Sequence, residues 1–552
     1  MRHALPLFSL AAALLAGCAS APSSPPATTE PVKVKVMAIN DFHGNLKPPQ
    51  GGIRVRDATG RLVPVEAGGA EHLATAVAQI RAKNPNHVFV AAGDLIGATP
   101  LLSALFRDEP TIESLSLMGL EASAVGNHEF DKGATELLRM QRGGCTPDSC
   151  KGPQPFAGAK FQYLAASTID LKTGQTLLPP TFIKRFEGIP VGFIGLTLKG
   201  TPAIVAPSGV IGLRFDDEAD TVNRLVPELQ RQGVQAIVVL IHEGGVPTGD
   251  YNECPGISGP IVDIVKRLDK AVDAVITGHT HRAYNCRIDG RLVTSGDKYG
   301  TIVTEIDLVL DPKTGDVISA TADNVIVRTA SFVKDPRQTE LIATYEKLAA
   351  PLAGRVVGRL GAPLPRQNNP AGENPLGQVI ADAQLAATRD AGSVVAFMNP
   401  GGIRAALDMP ADGLVRYADL FAVQPFYNNL MTMTLTGAQL LQLLEQQWSD
   451  RNDGGRVLHV SQGFSYTWDA KAPIGQRVVP GSARLNGQPL DPAADVRVTV
   501  NSFLGGGGDN FPVLRQGRDR RTGMMDVDAL ELYVKANPTL APGTLNRITR
   551  LN

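Results

Sequence analysis

Five short polar motifs, each stopping an apolar run, constrain this chain more than any other feature. They are Asn40-Asp41-Phe42-His43-Gly44, Gly93-Asp94, Gly126-Asn127-His128-Glu129-Phe130-Asp131, Ile241-His242-Glu243-Gly244 and Gly278-His279-Thr280-His281. The runs before them, at 34–39, 88–91, 122–125, 236–241 and 274–276, are short, apolar and largely β-branched or small. With a further run at 191–196, they read as buried strands. Helical patterns fall between the runs at 71–83, 111–118, 220–232 and 261–268. Such alternation predicts a layered α/β domain with helices covering a sheet. Polar side chains that all follow strands then gather along one sheet edge. A lone histidine there is an ordinary loop residue, but five of the nine histidines fall in these motifs, beside carboxylates and an amide. That donor set suits a pair of first-row divalent metals, with one carboxylate able to bridge.

At 552 residues and 43% hydrophobic the chain exceeds one ordinary domain. Asp335-Pro336 supplies a helix start, and the amphipathic run from Gln338 ends near Pro351 and Gly354. Beyond it, helices at 376–387, 437–448 and 527–536 mix with strands at 394–398, 430–435 and 496–500, a second α/β unit. The expected division is a first domain at 33–334, a connecting helix at 335–360 and a second domain at 361–552.

Arg2 and His3 precede an apolar run at 4–16 that is too short to span a bilayer and has the shape of a signal peptide. Residues 1–18 end in Leu15-Ala16-Gly17-Cys18, which resembles a bacterial lipobox and would make Cys18 the lipidated first residue of the mature protein. An ordinary secretory signal is the alternative. Residues 19–32 are rich in Pro, Ser, Thr and Ala and read as a flexible tether. The expected address is the cell envelope, as an outer-membrane lipoprotein or in the periplasm, with membrane contact through the anchor alone. Cys145, Cys150, Cys254 and Cys286 remain, an even number for an oxidising compartment. Of three pairings, Cys145 with Cys150 and Cys254 with Cys286 is favoured; a four-cysteine zinc site has the wrong spacings. A net charge of -1 argues against a nucleic-acid polymer as partner, and a monomer is expected.

Together, Asn-Asp-x-His-Gly, Gly-Asp, Gly-Asn-His-Glu-x-Asp, His-Glu-Gly and Gly-His-x-His resemble the calcineurin-like metallophosphoesterases. Asn399-Pro400-Gly401-Gly402-Ile403-Arg404, Pro425-Phe426-Tyr427-Asn428 and the Phe503 to Asp509 segment narrow the resemblance to 5'-nucleotidases and UDP-sugar hydrolases, over roughly residues 34–552. That family implies a four-layer α/β/β/α catalytic domain, joined by a helix to an α/β substrate-binding domain. It implies one metal held by Asp41, His43 and His281, another by Asn127, His242 and His279, and Asp94 bridging, with Zn, Mn, Co or Fe as the ions. His128 matches the catalytic histidine and Asp131 its orienting partner in hydrolysis by a metal-activated water. Asn399, Gly402, Arg404, Phe426, Asn428, Phe503 and Asp509 match substrate contacts, the two phenylalanines stacking on a nucleobase.

Two departures bear on the substrate. Where relatives often carry an arginine, this chain reads Ala371-Gly372-Glu373-Asn374-Pro375, leaving Arg366 as a replacement. The insert around Cys145 to Cys150 is placed to reshape the site entrance. The expected activity is removal of the 5'-phosphate from nucleoside monophosphates, with UDP-sugars a further option. Alternatives are a 2',3'-cyclic-nucleotide phosphodiesterase, a sulfur-ester hydrolase on the same fold, or a non-enzymatic, metal-bound lipoprotein that captures a ligand. The last has no need of His128 and Asp131, and both are present.

Overall fold

The computed structural model describes residues 30–57, 59–449 and 455–552. The signal segment, Cys18 and the tether up to residue 29 lie outside the described residues. Among the described residues no helix is long and apolar enough to cross a membrane.

The first domain stacks two six-stranded sheets. In one, Val32–Ile39 runs parallel to His87–Ala91 and antiparallel to Ile302–Leu310, and Ala122–Ala124 extends the parallel side. In the other, Ala236–His242 lies parallel between Ile189–Thr197 and Ala274–Thr277. Side chains alternate across a strand, and this alternation sorts the layers. Val34, Val36 and Ala38 join Val191, Phe193, Val238 and Leu240 in a core between the sheets. Met37 and Ile39 instead join residues of the helices Ala70–Arg81 and Glu109–Met118. On the far side, Ile237, Val239 and Ile241 pack with residues of Glu218–Arg231 and Pro260–Arg267. The order is helix, sheet, sheet, helix, the four-layer α/β/β/α arrangement, with both sheets mixed.

Helices begin one or two residues before the apolar periodicity suggests, because caps set the start. The Asp217 carboxylate accepts from the Asp220 amide ahead of Glu218–Arg231, and proline opens Pro260–Arg267. Val32, assigned to the tether by composition, is the first strand residue and pairs with Leu310. Both favoured disulfides are present, Cys145–Cys150 and Cys254–Cys286, with Cα atoms 5.5 and 5.1 Å apart. They consume the thiols that a zinc site would need.

The helix Pro336–Ala353 starts where Asp335 accepts from the Arg337 and Gln338 amides. It belongs physically to the first domain: Ser114 Oγ donates to Gln338 Oε1 (2.7 Å) and Tyr345 Oη to Glu113 Oε2 (3.0 Å). It is shorter than the 335–360 connection expected, since Val356–Arg359 is already a strand paired with Leu414–Arg416. The second domain is built on a five-stranded mixed sheet whose central strand, Asp495–Asn501, lies between Val395–Met398 and Asn429–Thr436. Pro375–Ala386 and Asp526–Ala536 share one core, and Gly437–Gln446 lies in another. Leu101 and Ala104 of the first domain enter the first of these cores. Apolar packing therefore joins the domains beside the covalent connection.

Candidate functional site

The first-domain motifs converge. Asp41, His43 and His281 each bring one ligand atom to within 4.8 Å of the others, and Asp94, His242 and His279 do the same. Asp94 stands between the two groups: its Oδ2 lies 3.0 Å from His242 Nε2 and 3.7 Å from His43 Nε2. Its Oδ1 accepts from the His128 amide at 2.9 Å. Five of these residues have left-handed backbone, with φ of 49° at Asp41, 44° at His43, 48° at Asp94, 71° at His279 and 53° at His281. Such positions cost about 1–3 kcal/mol each and persist only where the surroundings impose them.

Glu129 supports the one at Asp94. Its carboxylate accepts from the amides of Asp94, Leu95, Ile96 and Gly126, so one side chain holds two of the five loops in register. Gly126 is glycine because a Cβ there would lie 2.1 Å from Asp94 Oδ1. Asn40 acts similarly on the first loop, donating to Asp41 Oδ2 (2.7 Å) and accepting from the Gly296 amide (2.7 Å). Glu129 and Asn40 were visible in the motifs, but nothing in sequence marked them as supports.

The residues fit a pair of cations. His43 Nδ1 bonds Gly97 O and His242 Nδ1 bonds Ala92 O, both at 2.8 Å, which turns each Nε2 toward the shared space. Asn127 Oδ1 is buried without a hydrogen-bond partner. Burial would raise the carboxyls, yet the His281 and His242 imidazoles hold Asp41 and Asp94 below their usual range. Burial and His242 push His279 down to about 3, leaving a neutral imidazole. For His242 burial acts downward but Asp94 prevails and lifts the ring to about 10, so metal capture there must displace a proton.

His128 Nδ1 bonds Asp131 Oδ2 at 2.7 Å, orienting Nε2 away from Asp131. Burial opposes its protonation, but the Asp131 and Asp94 carboxylates raise its pKa above the ordinary value.

A cavity of about 310 Å³ opens beside Asn127, His128 and His279, and all seven second-domain candidates line it. Phe426 stacks on His128 with centroids 5.8 Å apart, and the Arg404 guanidinium sits 5.8 Å from the Phe426 ring centre. Arg404 is near enough to push His43, His128 and His281 downward, and its Nε is buried without a partner. Phe503 is half-buried against Gly508, where a Cβ would meet its ring at 2.5 Å. Asn399 links Asn501 and Asp509 through bonds of 2.9 and 2.8 Å, and Asn428 Oδ1 accepts from Ser502 Oγ. Asn501, Arg456 and the first-domain segment Ile204, Val205 and Ala206 also line this cavity. Sequence reading missed them; only Asn501, at the end of a strand run, carried any positional signal.

Two expectations are corrected. Arg366 donates to the Ile403 and Arg404 carbonyls (2.8 and 2.7 Å), so it supports the Arg404 loop and lies outside the nucleoside-sized cavity. Residues 145–150 line none of the cavities at the site. The Cys150 amide bonds Glu109, whose other partner is Arg139, and this anchors the insert on the helical layer.

Comparison with known proteins agrees with this geometry. The calcineurin-like phosphoesterase family matches residues 34–283, and the 5'-nucleotidase C-terminal domain matches 353–516. The chain belongs to this two-domain 5'-nucleotidase family. It is 32% identical to the endonuclease YhcR of Bacillus subtilis over 92% of this chain, but spans only 40% of that protein's length. It is 26% identical to a 5'-nucleotidase of Vibrio cholerae, covering 97% of this chain and 95% of that one. A 5'-nucleotidase precursor from Thermus thermophilus superposes with a TM-score of 0.76 at 26% identity, covering 94% of this chain and all of that one.

Proposed function

We propose that this chain is a metal-dependent phosphoester hydrolase that removes the 5'-phosphate of nucleotides, nucleoside monophosphates first and UDP-sugars among its further substrates. One observation carries the reading: Arg404 and Phe426 of the second domain meet His128 at the mouth of the 310 Å³ cavity. A nucleoside between Phe426 and Phe503 would therefore direct its 5'-phosphate at the first-domain ligands.

Asp41, His43 and His281 would hold one cation and Asn127, His242 and His279 the other, with Asp94 shared. When bound, the ions supply Lewis-acid charge and lower the pKa of water. The chain's own groups do the rest. Arg404 offers a planar fork of donors to phosphate oxygens. His128, its pKa raised by the Asp131 and Asp94 carboxylates, would donate from Nε2 to the departing ester oxygen or steady negative charge on the transferring group. Asp131 fixes the tautomer through its 2.7 Å bond. Phe426 closes over His128 and limits water at the reacting centre.

A hydrolysis panel tests this, using metal-stripped protein reloaded with Mn, Zn, Co or Mg on AMP, UDP-glucose, 2',3'-cyclic AMP and a generic phosphodiester. AMP should be cleaved fastest and only with metal restored. No hydrolysis of any nucleotide with any ion would overturn the proposal. The chain works at the cell envelope, anchored through Cys18, a reading supported by the lipobox and by two disulfides. Cys18→Ser should release it from membrane fractions or leave it uncleaved; wild type already soluble after cell disruption would refute the anchor.

A further inference from the structure

The stretch from Phe503 to Asp509 carries four consecutive glycines, Gly505 to Gly508, and two of them are seats for side chains. A Cβ on Gly508 would meet the Phe503 ring at 2.5 Å, and one on Gly506 would meet Pro207 Cδ at 2.8 Å. Phe503 belongs to the second domain, but Pro207 belongs to the first, in a segment that leaves the end of the strand Ile189–Thr197. That segment is held at both ends by the stretch that carries Asn127 and His128. At its root Thr197 Oγ1 donates to Val125 O (2.7 Å), and at its far end a Cβ on Gly209 would stand 2.2 Å from the Phe130 carbonyl oxygen. Between these ties the short helix Thr201–Ile204 packs on the turn Gly508–Asn510, and Ile204, Val205 and Ala206 line the 310 Å³ cavity. Val205 is buried, and Ile204 and Ala206 are half-buried.

We propose that Ile204, Val205 and Ala206 form a specificity-determining wall for the nucleobase, supplied by the catalytic domain and set beside Phe503. This deepens the nucleotide reading above and rests on it. The seat on Gly506 and the packing on the Gly508–Asn510 turn put the wall next to the Phe503 ring, where the base is to lie. Its side chains are aliphatic and offer no hydrogen bond, so it reads the bulk of a base and not its donors and acceptors. At about 310 Å³ the cavity is at the lower end of ordinary small-molecule sites, and one side chain more or less at the wall changes which base fits. The wall is tied to the loop of Asn127 and His128, whereas Phe426 and Phe503 ride on the second domain. A base that touches all of them therefore registers its phosphate against the first-domain ligands, and binding energy far from the reacting bond counts toward rate. A purine, the longer base, reaches the wall better than a pyrimidine, so purine nucleotides should be preferred.

The test measures kcat/KM for AMP, CMP and p-nitrophenyl phosphate on metal-loaded wild type, Ile204→Ala and Ile204→Trp, with Tm recorded for each. Wild type should favour AMP over CMP. Ile204→Ala withdraws aliphatic contact from the longer base and Ile204→Trp takes its room. Both should therefore lower the ratio of AMP to CMP, by about fivefold or more on the scale at which apolar pockets discriminate small groups. AMP should also fall further than p-nitrophenyl phosphate, which has no base. Gly506→Ala, which adds the Cβ that meets Pro207, should lower the same ratio from outside the cavity lining. Equal cleavage of AMP and CMP by wild type, or a ratio unchanged in both Ile204 variants, would overturn the wall alone. So would equal losses on all three substrates. Failure of wild type to hydrolyse AMP would overturn the nucleotide reading, and this inference with it.

Discussion

Phe503→Ala separates recognition of the base from the chemistry on phosphate. The ring is half-buried, one side resting on Gly508, and it lines the same 310 Å³ cavity as Phe426, Asn428 and Asp509. If the cavity holds a base, removing one stacking face should cost about 1–3 kcal/mol of binding, by analogy with aromatic contacts in single-stranded nucleic-acid sites. That corresponds to a KM for AMP raised by about tenfold, within limits of roughly five- and a hundredfold. Full truncation of a buried phenylalanine costs about 3–5 kcal/mol of stability, and this ring should cost less because it is only partly enclosed. Steady-state hydrolysis of AMP and of p-nitrophenyl phosphate would be measured side by side, with Tm recorded for both proteins. The expected pattern is a selective KM rise for AMP, little change for p-nitrophenyl phosphate, and a matching loss of inhibition by adenosine. Equal losses on both substrates would show damage to the fold or to the domain junction, and unchanged AMP kinetics would place the base elsewhere.

Asp94→Asn should abolish most turnover and deplete bound metal, because Oδ2 faces both His43 and His242 and a neutral amide cannot serve two cations. Two ions retained with near-normal rates would remove Asp94 from the shared position. His128→Ala should lower kcat by about 10²–10⁴ with metal content unchanged; loss of an ion, read by elemental analysis, would instead make His128 a ligand. Glu136 provides a pH test away from the site. Burial acts to raise its pKa, but Arg139 and Arg107 prevail and pull it from 4.5 to about 2. A depressed acid contributes stability that is full above pH 4.5 and is lost as pH falls through about 2. The stability gap between wild type and Glu136→Gln, from denaturant titrations, should therefore hold at neutral pH and shrink between those values; a gap constant down to pH 2 would contradict the ion-pair account.

Much of the first domain was legible in the chain because its signals are local. Apolar runs of strand length, glycine stops and polar residues after each stop are read within a few neighbours, and their ligand types name the chemistry. The disulfide pairing was also legible, since few cysteines leave few choices. Tertiary structure alone decided how the ligands are aimed. Left-handed backbone at Asp41, His43, Asp94, His279 and His281 has no sequence mark outside glycine and is imposed by the surrounding fold, as where the Glu129 carboxylate grips the amides of Asp94, Leu95, Ile96 and Gly126. Arg366 reads as a substrate arginine by position, but its Nη1 supports the Ile403 and Arg404 carbonyls. The walls of the 310 Å³ cavity join residues hundreds of positions apart, such as Ile204 and Phe503. Periodicity and capping act over a turn or a strand, whereas the meeting of two domains is set by packing such as Leu101 and Ala104 entering the second domain's core, a long-range contact that no local pattern encodes.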